Sequence, residues 1–430
     1  MKPQFLIAAP SSNSGKTTIT LGLLRLLHKR GLSVQPFKCG PDYIDTKHHS
    51  LAAHTTSVNL DTFMMSEAHL KEVYGKYTAD ADVVITEGVM GLFDGADRMK
   101  GSSAEIAMVL DLPVILVVNA KAMAYSVAPL IYGFMHFHPG VKIAGVIFNF
   151  VNTESHYQFL KDACADLGIA PLGYVPANEH IKIPSRHLGL AISSENDYEG
   201  IIEAAAEHIS RTVDVDLILE MTRRPAPVHT SFIRVEKGGL PIAVASDEAF
   251  NFTYLENLEV LRNAGEVSFF SPLHDTEMPA AEILYLAGGY PELYLEQLSA
   301  NVTMRESVRA FCEKGGKVIA ECGGMMYLGE SIGDKEGVEY PMVGFLGLKT
   351  TMKGAKLSLG YRVVEMGEKV FKGHEFHYST SSETEELERI GKVYNARGKE
   401  VDMAVYRKGN VVASYMHVYW GESGEWLSVE

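Results

Sequence analysis

The chain has 430 residues, 46% of them hydrophobic and 22% charged, a globular balance on a length that implies two or three domains rather than one core. Its formal net charge of −15 excludes general nucleic-acid binding, which needs a basic surface, so an anionic substrate would have to meet local Lys and Arg. The four cysteines, at 39, 164, 312 and 322, have neither metal spacing nor the density of a disulfide framework and fit a reducing cytoplasm. No signal peptide is expected, and the longest apolar run, residues 112–120, is too short to span a bilayer.

Residues 5–9 (FLIAA) read as a short buried strand. Small polar residues then lead to Gly15-Lys16-Thr17-Thr18, and the apolar period of Ile19, Leu21, Leu23, Leu24, Leu26 and Leu27 reads as a helix. Strand, loop, Gly-Lys-Thr, helix is the context of a phosphate-binding loop. Ser14 to Thr18 are the nucleotide-binding candidates: backbone N–H groups face the anion, Lys16 reaches the terminal phosphates, and the Thr17 hydroxyl serves Mg²⁺. Pro10 stands where the usual spacing has Gly. The competing reading is an ordinary strand–helix turn.

Further strands are expected at residues 33–39, 82–86, 114–119 and 143–149, with helix-like stretches at 102–110 and 157–167. This alternation implies a parallel sheet with helices on both faces, and such sheets bind ligands beyond the carboxyl ends of their strands. Strand two ends in Lys38-Cys39-Gly40-Pro41-Asp42-Tyr43-Ile44-Asp45, whose Gly-Pro turn puts Lys38 and Asp42 on the edge facing the phosphate loop. The next strand ends in Glu87-Gly88-Val89-Met90-Gly91-Leu92-Phe93-Asp94-Gly95, with glycines that let backbone approach a ligand. Thr17, Asp42 and Glu87 offer the hard oxygens Mg²⁺ requires. Any one of Asp42, Glu87 and Asp94 could be a solvated loop residue; all three at strand ends favour a site. Asn149, after another strand, could read a purine edge or cap a turn.

Between residues 221 and 240 the periodicity breaks among prolines, basic residues and Gly-Gly, which predicts a domain at 1–220, a linker at 221–240 and a second α/β domain at 241–430. New strands are expected at 241–246, 267–270, 283–286 and 317–320. The last runs into Glu321-Cys322-Gly323-Gly324, read as a nucleophile elbow. A helix N-terminus there should lower the thiol pKa, with Gly323 supplying an oxyanion N–H. The Gly288-Gly289 turn supplies a second N–H donor, from Gly289, and His417, ending a strand-like run from Ala413, is the candidate base. The alternative is a buried structural cysteine. His374-Glu375-Phe376-His377 lacks the spacing of a zinc-binding helix and is not read as a metal site, and His48-His49 read as surface or core residues.

These motifs, with Asn59-Leu60-Asp61, Arg186-His187-Leu188-Gly189-Leu190, Gly288-Gly289-Tyr290-Pro291-Glu292 and Gly373-His374-Glu375-Phe376-His377-Tyr378-Ser379, stand in an order that resembles the cobyrinic acid a,c-diamide synthases, glutamine-dependent amidotransferases of corrinoid synthesis. The resemblance covers essentially the whole chain. It implies an α/β protein with an N-terminal domain similar to dethiobiotin synthetase and a C-terminal class I glutaminase. It implies ATP as co-substrate and Mg²⁺: a macrocycle carboxylate becomes an acyl phosphate, and ammonia from glutamine displaces the phosphate, twice. By resemblance Lys16 and Lys38 neutralise the phosphoryl group, and Thr17, Asp42 and Glu87 hold Mg²⁺. Tyr43, Asp94 and Ser102 meet the acidic substrate, Asn149 reads adenine, Cys322 forms the thioester and His417 is its base. The triad pattern has Glu two residues after this His; Tyr419 stands there, so the orienting member is unassigned. The His374–Ser379 stretch is expected near an interface between domains. A homodimer is allowed for; no nucleic acid or membrane is implied. Close alternatives are the same chemistry on hydrogenobyrinic acid or nickel sirohydrochlorin, and a more distant one is a partitioning or regulatory ATPase that makes no amide.

Overall fold

The computed structural model describes residues 1–183, 197–227 and 238–429. The Arg186–Leu190 motif and part of the expected linker lie outside the described residues. The described residues divide into two compact units, 1–183 with 197–227, and 238–429.

The first unit runs β1 (Lys2–Ala8), α1 (Lys16–Lys29), β2 (Val34–Cys39), α2 (Tyr43–Ala53), β3 (Val58–Leu60), α3 (Glu67–Thr78), β4 (Val83–Glu87), α4 (Ser103–Val109), β5 (Val114–Asn119), α5 (Val127–His136), β6 (Ile143–Asn149), α6 (Glu154–Leu167), β7 (Ala170–Val175), α7 (Tyr198–Ser210), α8 (Val215–Met221) and β8 (Arg223–Arg224). Strands β3-β2-β4-β1-β5-β6-β7 form one parallel sheet, and β8 adds antiparallel to β1. The strands are apolar because both faces are covered. Ile7, Ile85 and Ile115 pack with Ile19, Leu23 and Leu27 of α1 and Ile202 and Ile209 of α7. On the other face Leu116, Val118 and Phe148 meet Val127, Ile131 and Leu160. Strand order turns back at β1, which lies between β4 and β5, so a crevice opens at the carboxyl ends of β1, β2 and β4. In register, Glu87 sits beside both Ile7 and Lys38.

The second unit runs β9 (Leu240–Ala245), α9 (Leu255–Ala264), β10 (Gly265–Phe270), β11 (Ile283–Leu286), α10 (Leu295–Ala300), α11 (Val302–Glu313), β12 (Lys317–Glu321), α12 (Gly323–Leu328), β13 (Ser331–Gly333), β14 (Glu339–Pro341), β15 (Leu348–Thr351), β16 (Ser358–Met366), β17 (Lys369–His377), β18 (Thr380–Glu383), β19 (Glu388–Arg389), β20 (Lys392–Asn395), β21 (Val405–Lys408), β22 (Val411–Ser414) and β23 (His417–Tyr419). Its main sheet has the order β10-β9-β11-β12-β22-β21-β19, parallel from β10 to β22. Two four-stranded sheets, β14-β13-β15-β18 and β20-β16-β17-β23, are additions that the apolar-run pattern does not disclose. One consequence corrects an expectation. His417 does not end the run from Ala413: that run stops at Ser414, whose hydroxyl accepts the Met416 N–H at 3.1 Å, and His417 opens β23, antiparallel to β17. All four cysteines are free and buried. Among the described residues no helix is long and apolar enough to cross a membrane.

Candidate active sites

In the first unit the loop after β1 turns into α1 through Gly15, whose φ is +90°. The left-handed conformation suits Gly, and so does the space: a Cβ there would lie 2.0 Å from the Asn149 amide nitrogen. Asn149 braces this loop. Its Nδ2 donates to the Ser14 carbonyl at 2.9 Å and its Oδ1 accepts the Phe150 N–H at 2.9 Å. Lys16 reaches across to the Met90 carbonyl at 2.5 Å and the Ser11 carbonyl at 3.4 Å. Burial lowers its pKa, with Glu87 pulling the other way. A phosphate would take over the ammonium from those two carbonyls.

Glu87 is the hub. It is fully buried and accepts from the Thr17 hydroxyl at 2.7 Å and the Lys38 ammonium at 2.9 Å on Oε1, with His49 Nε2 at 2.6 Å from Oε2. Burial would raise its pKa, but Lys38 and His49 overcome that and hold the carboxyl well below its usual range. Burial likewise opposes the charge on Lys38, and Asp45, 2.6 Å away, and Glu87 more than restore it. A hydroxyl and an ionised carboxylate in contact at a phosphate loop are a hard-oxygen pair that fits Mg²⁺.

The other sequence candidates are placed less directly. Asp42 caps α2, its Oδ1 accepting the N–H groups of Ile44 and Asp45, both at 2.9 Å. Asp94 accepts the Gly91 N–H at 3.0 Å and shapes the glycine-rich turn. Ser102 is buried as the cap of α4, accepting the Glu105 N–H at 3.2 Å. Tyr43 is buried in the first turn of α2, and Thr18 in that of α1 is half-buried. Asp45 and His49 were not singled out from the sequence. Their i, i+4 spacing on α2, just after the Lys38 motif, is the signal that puts both on the face toward Glu87.

In the second unit β12 delivers Cys322 at φ +46°, ψ −104°, a strained conformation for a residue with a side chain. Its N–H donates to the Ser414 carbonyl at 2.7 Å, and α12 begins at Gly323. A Cβ on Gly323 would lie 3.1 Å from the Gly289 nitrogen, so the two expected oxyanion donors are neighbours. A Cβ on Gly288 would lie 2.1 Å from His417 Cε1, so the imidazole rests directly on that backbone. The Glu321 carboxyl ties β12 to β23, accepting the Val418 N–H at 3.1 Å and the Tyr285 hydroxyl at 2.9 Å. Burial raises its pKa to about 8.

The electrostatics of Cys322 correct another expectation. Its thiol pKa is raised, not lowered: burial is the main cause, and the carboxylates of Glu292, Glu321 and Glu375 add to it against one helpful backbone N–H. A six-residue helix gives little dipole to oppose them. His417 is fully buried and its pKa falls to about 3, by burial and then by His377. The resting pair is a neutral thiol and a neutral imidazole.

The His374–Ser379 stretch, left without a firm role by the sequence, surrounds this site. His374 stacks on His417 with ring centroids 4.9 Å apart and planes 16° from parallel. The Phe376 carbonyl lies 3.8 Å from Cys322 Sγ. Glu375 pairs with Arg362, and His377 stacks on Tyr415 at 3.7 Å with its Nδ1 2.9 Å from the Ser379 carbonyl. Sequence reasoning passed over Glu321, Tyr285, Tyr254 and the pairing of His374 with His417, because strand pairing alone brings them together.

Comparison with known proteins gives each unit a domain family. Residues 5–190 match a CobQ/CobB/MinD/ParA nucleotide binding domain, and residues 241–425 match a CobB/CobQ-like glutamine amidotransferase domain. The chain is 41% identical over 435 residues to a cobyrinate a,c-diamide synthase of Listeria innocua, covering 97% of this chain and 96% of that one. It is 42% identical over 426 residues to a hydrogenobyrinate a,c-diamide synthase of Brucella anthropi, covering 96% of this chain and 98% of that one. With a nucleotide-binding unit, a glutaminase-type unit and such relatives along nearly its full length, the chain belongs to the cobyrinate a,c-diamide synthase family of glutamine amidotransferases in cobalamin biosynthesis.

Proposed function

We propose that the chain converts the a- and c-carboxylates of cobyrinic acid to amides, using ATP at the first unit and ammonia from glutamine at the second. Hydrogenobyrinic acid is the second candidate substrate, since relatives of equal similarity carry that name. The observation that carries the reading is the Cys322 elbow: a strained cysteine at the end of β12, with the Gly289 nitrogen close to Gly323, is built for thioester chemistry, which a partitioning ATPase does not need.

At the second unit His417 takes the thiol proton as sulfur attacks the amide carbon of glutamine. The N–H groups of Gly289 and Gly323 receive the developing oxyanion. Collapse returns the proton from His417 to the leaving nitrogen, freeing ammonia, and water then cleaves the thioester to glutamate. At the first unit a substrate carboxylate oxygen attacks the γ-phosphorus of ATP and ADP leaves. Lys16 and Lys38 balance the charge on the transferring group, and the Ser14 to Thr18 backbone cradles the phosphates. Thr17 and Glu87, with Asp42 at the crevice, would hold Mg²⁺, which supplies charge neutralisation at the β- and γ-phosphates. Tyr43, Asp94 and Ser102 are assigned to the substrate side, and Asn149, through its hold on the loop, to the nucleotide. Ammonia attacks the acyl phosphate carbon and expels phosphate.

The test follows product mass with two nitrogen sources. Cys322→Ala should make no diamide from glutamine yet make it from concentrated ammonium salt at alkaline pH. Lys16→Ala should fail with both, by a factor of roughly 10² or more, because no acyl phosphate forms. Glutamine use by Cys322→Ala at the wild-type rate would sink the reading. Cobyrinic and hydrogenobyrinic acid offered in parallel decide the substrate.

A further inference from the structure

A base that accepts a proton in a buried site must be held in one orientation, and in triad enzymes a carboxylate does this. Here the residue two positions beyond His417 is Tyr419, whose ring makes an edge contact with Tyr254 at 5.4 Å and 72°. We propose that His374, fixed by the Tyr254 hydroxyl, is the positioning residue for His417: stacking against it holds the plane of the imidazole. The inference rests on the glutaminase reading of Cys322 and His417.

The sheet makes the pairing obligatory. In the antiparallel β17–β23 ladder His374 and His417 are register partners, so their side chains leave on the same face. Gly373, one residue earlier, removes the side chain that would strike the His417 carbonyl, where a Cβ would come within 2.0 Å. The strands therefore close enough for the rings to stack at 4.9 Å and 16°. His417 thereby lies against both the Gly288 backbone and a flat aromatic face. His374 is fixed in turn, since its Nδ1 lies 2.8 Å from the hydroxyl of Tyr254, a residue 1% exposed. The stacked face has a second effect. As His417 becomes imidazolium during proton transfer, the π electrons of the neighbouring ring face the new charge. A carboxylate gives that stabilisation through charge; a stacked ring gives less of it and acts on the plane of the base.

The experiment measures glutamine hydrolysis and ammonium-dependent diamide synthesis in the wild type, His374→Ala, His374→Phe and Tyr254→Phe. For His374→Ala, kcat of glutamine hydrolysis should fall about 10²-fold, the scale of a misplaced general base, with KM for glutamine within about twofold. His374→Phe restores a flat face without the hydrogen bond and should recover at least about tenfold of that loss. Tyr254→Phe should lower kcat by a smaller factor, about three- to tenfold, the scale of one lost hydrogen bond. Ammonium-dependent synthesis should hold in every variant. The proposal falls if His374→Ala keeps kcat within twofold of wild type, if its loss is in KM alone, or if His374→Phe is as impaired as His374→Ala. A parallel loss of ammonium-dependent synthesis would assign His374 to folding and also overturn it. A wild type that makes diamide from ammonium but hydrolyses no glutamine would instead strike the parent reading.

Discussion

A buried thiol surrounded by carboxylates is a poor nucleophile until a base removes its proton. Cys322 is in that state: burial and the charges of Glu292, Glu321 and Glu375 raise its pKa above the ordinary 9.0. The thiolate fraction at pH 7 is therefore smaller than for an exposed cysteine, and it keeps growing past pH 9. Alkylation of Cys322 by iodoacetamide in the resting enzyme, followed by peptide mass, should be slow at pH 7 and still accelerating at pH 9. A plateau below pH 8 would show a preformed thiolate and contradict this. The candidates that the sequence suggests are those whose chemistry sits inside a local motif, such as Lys16, Glu87 and Cys322. The residues that set their charge are not among them. Glu292 stands in a quoted motif, but only the fold shows that its carboxylate acts on the thiol. His49 looked like any core histidine until α2 placed it 2.6 Å from Glu87.

At the level of elements, the glycine turn after β11 acts as a bearing surface for the His417 imidazole. A methyl group at Gly288 would need the space of His417 Cε1, 2.1 Å away, and the stacked His374 ring leaves the imidazole no simple retreat. Gly288→Ala should cut glutamine hydrolysis at least about tenfold while ammonium-dependent synthesis persists, with overpacking costing about 1–3 kcal/mol of stability in thermal unfolding. Unchanged hydrolysis would mean that the turn is slack. The parallel strands were legible because strands covered on both faces are continuous apolar runs: ILYL and VILVVN can hardly be anything else. The antiparallel additions were not, since β16 (SLGYRVVEM) is half-buried and carries no clean period. That is why His417 was expected at the end of one strand and is found at the start of another.

Across the whole molecule, the nucleotide-binding domain and the glutamine amidotransferase domain are separate units, each with its own sheet and core. A lesion in one should leave the other running. Glu87→Gln removes the ionised carboxylate that Thr17, Lys38 and His49 converge on. It should abolish substrate-dependent ATP turnover, a loss of several kcal/mol of transition-state stabilisation, while glutamine hydrolysis measured as glutamate release survives. Near wild-type diamide synthesis in this variant would remove Glu87 from the mechanism. The division into two α/β units was visible in the alternation of strands and helices, since each parallel sheet needs its own set of crossover helices; the expected boundary at 220 fell short, because Arg223–Arg224 still pair with β1 as part of the first unit.

The burial of every sulfhydryl also bears on how the molecule ages. Peroxides and disulfides attack an accessible thiolate. This chain keeps Cys39, Cys164 and Cys312 inside and holds Cys322 both covered and protonated between turnovers. The resting protein thus presents oxidants with no ready thiol and gives two copies no surface thiol to cross-link. In the proposed mechanism the thiol is vulnerable only when glutamine occupies the site and His417 draws the proton away, and at that moment the sulfur is already committed to carbon.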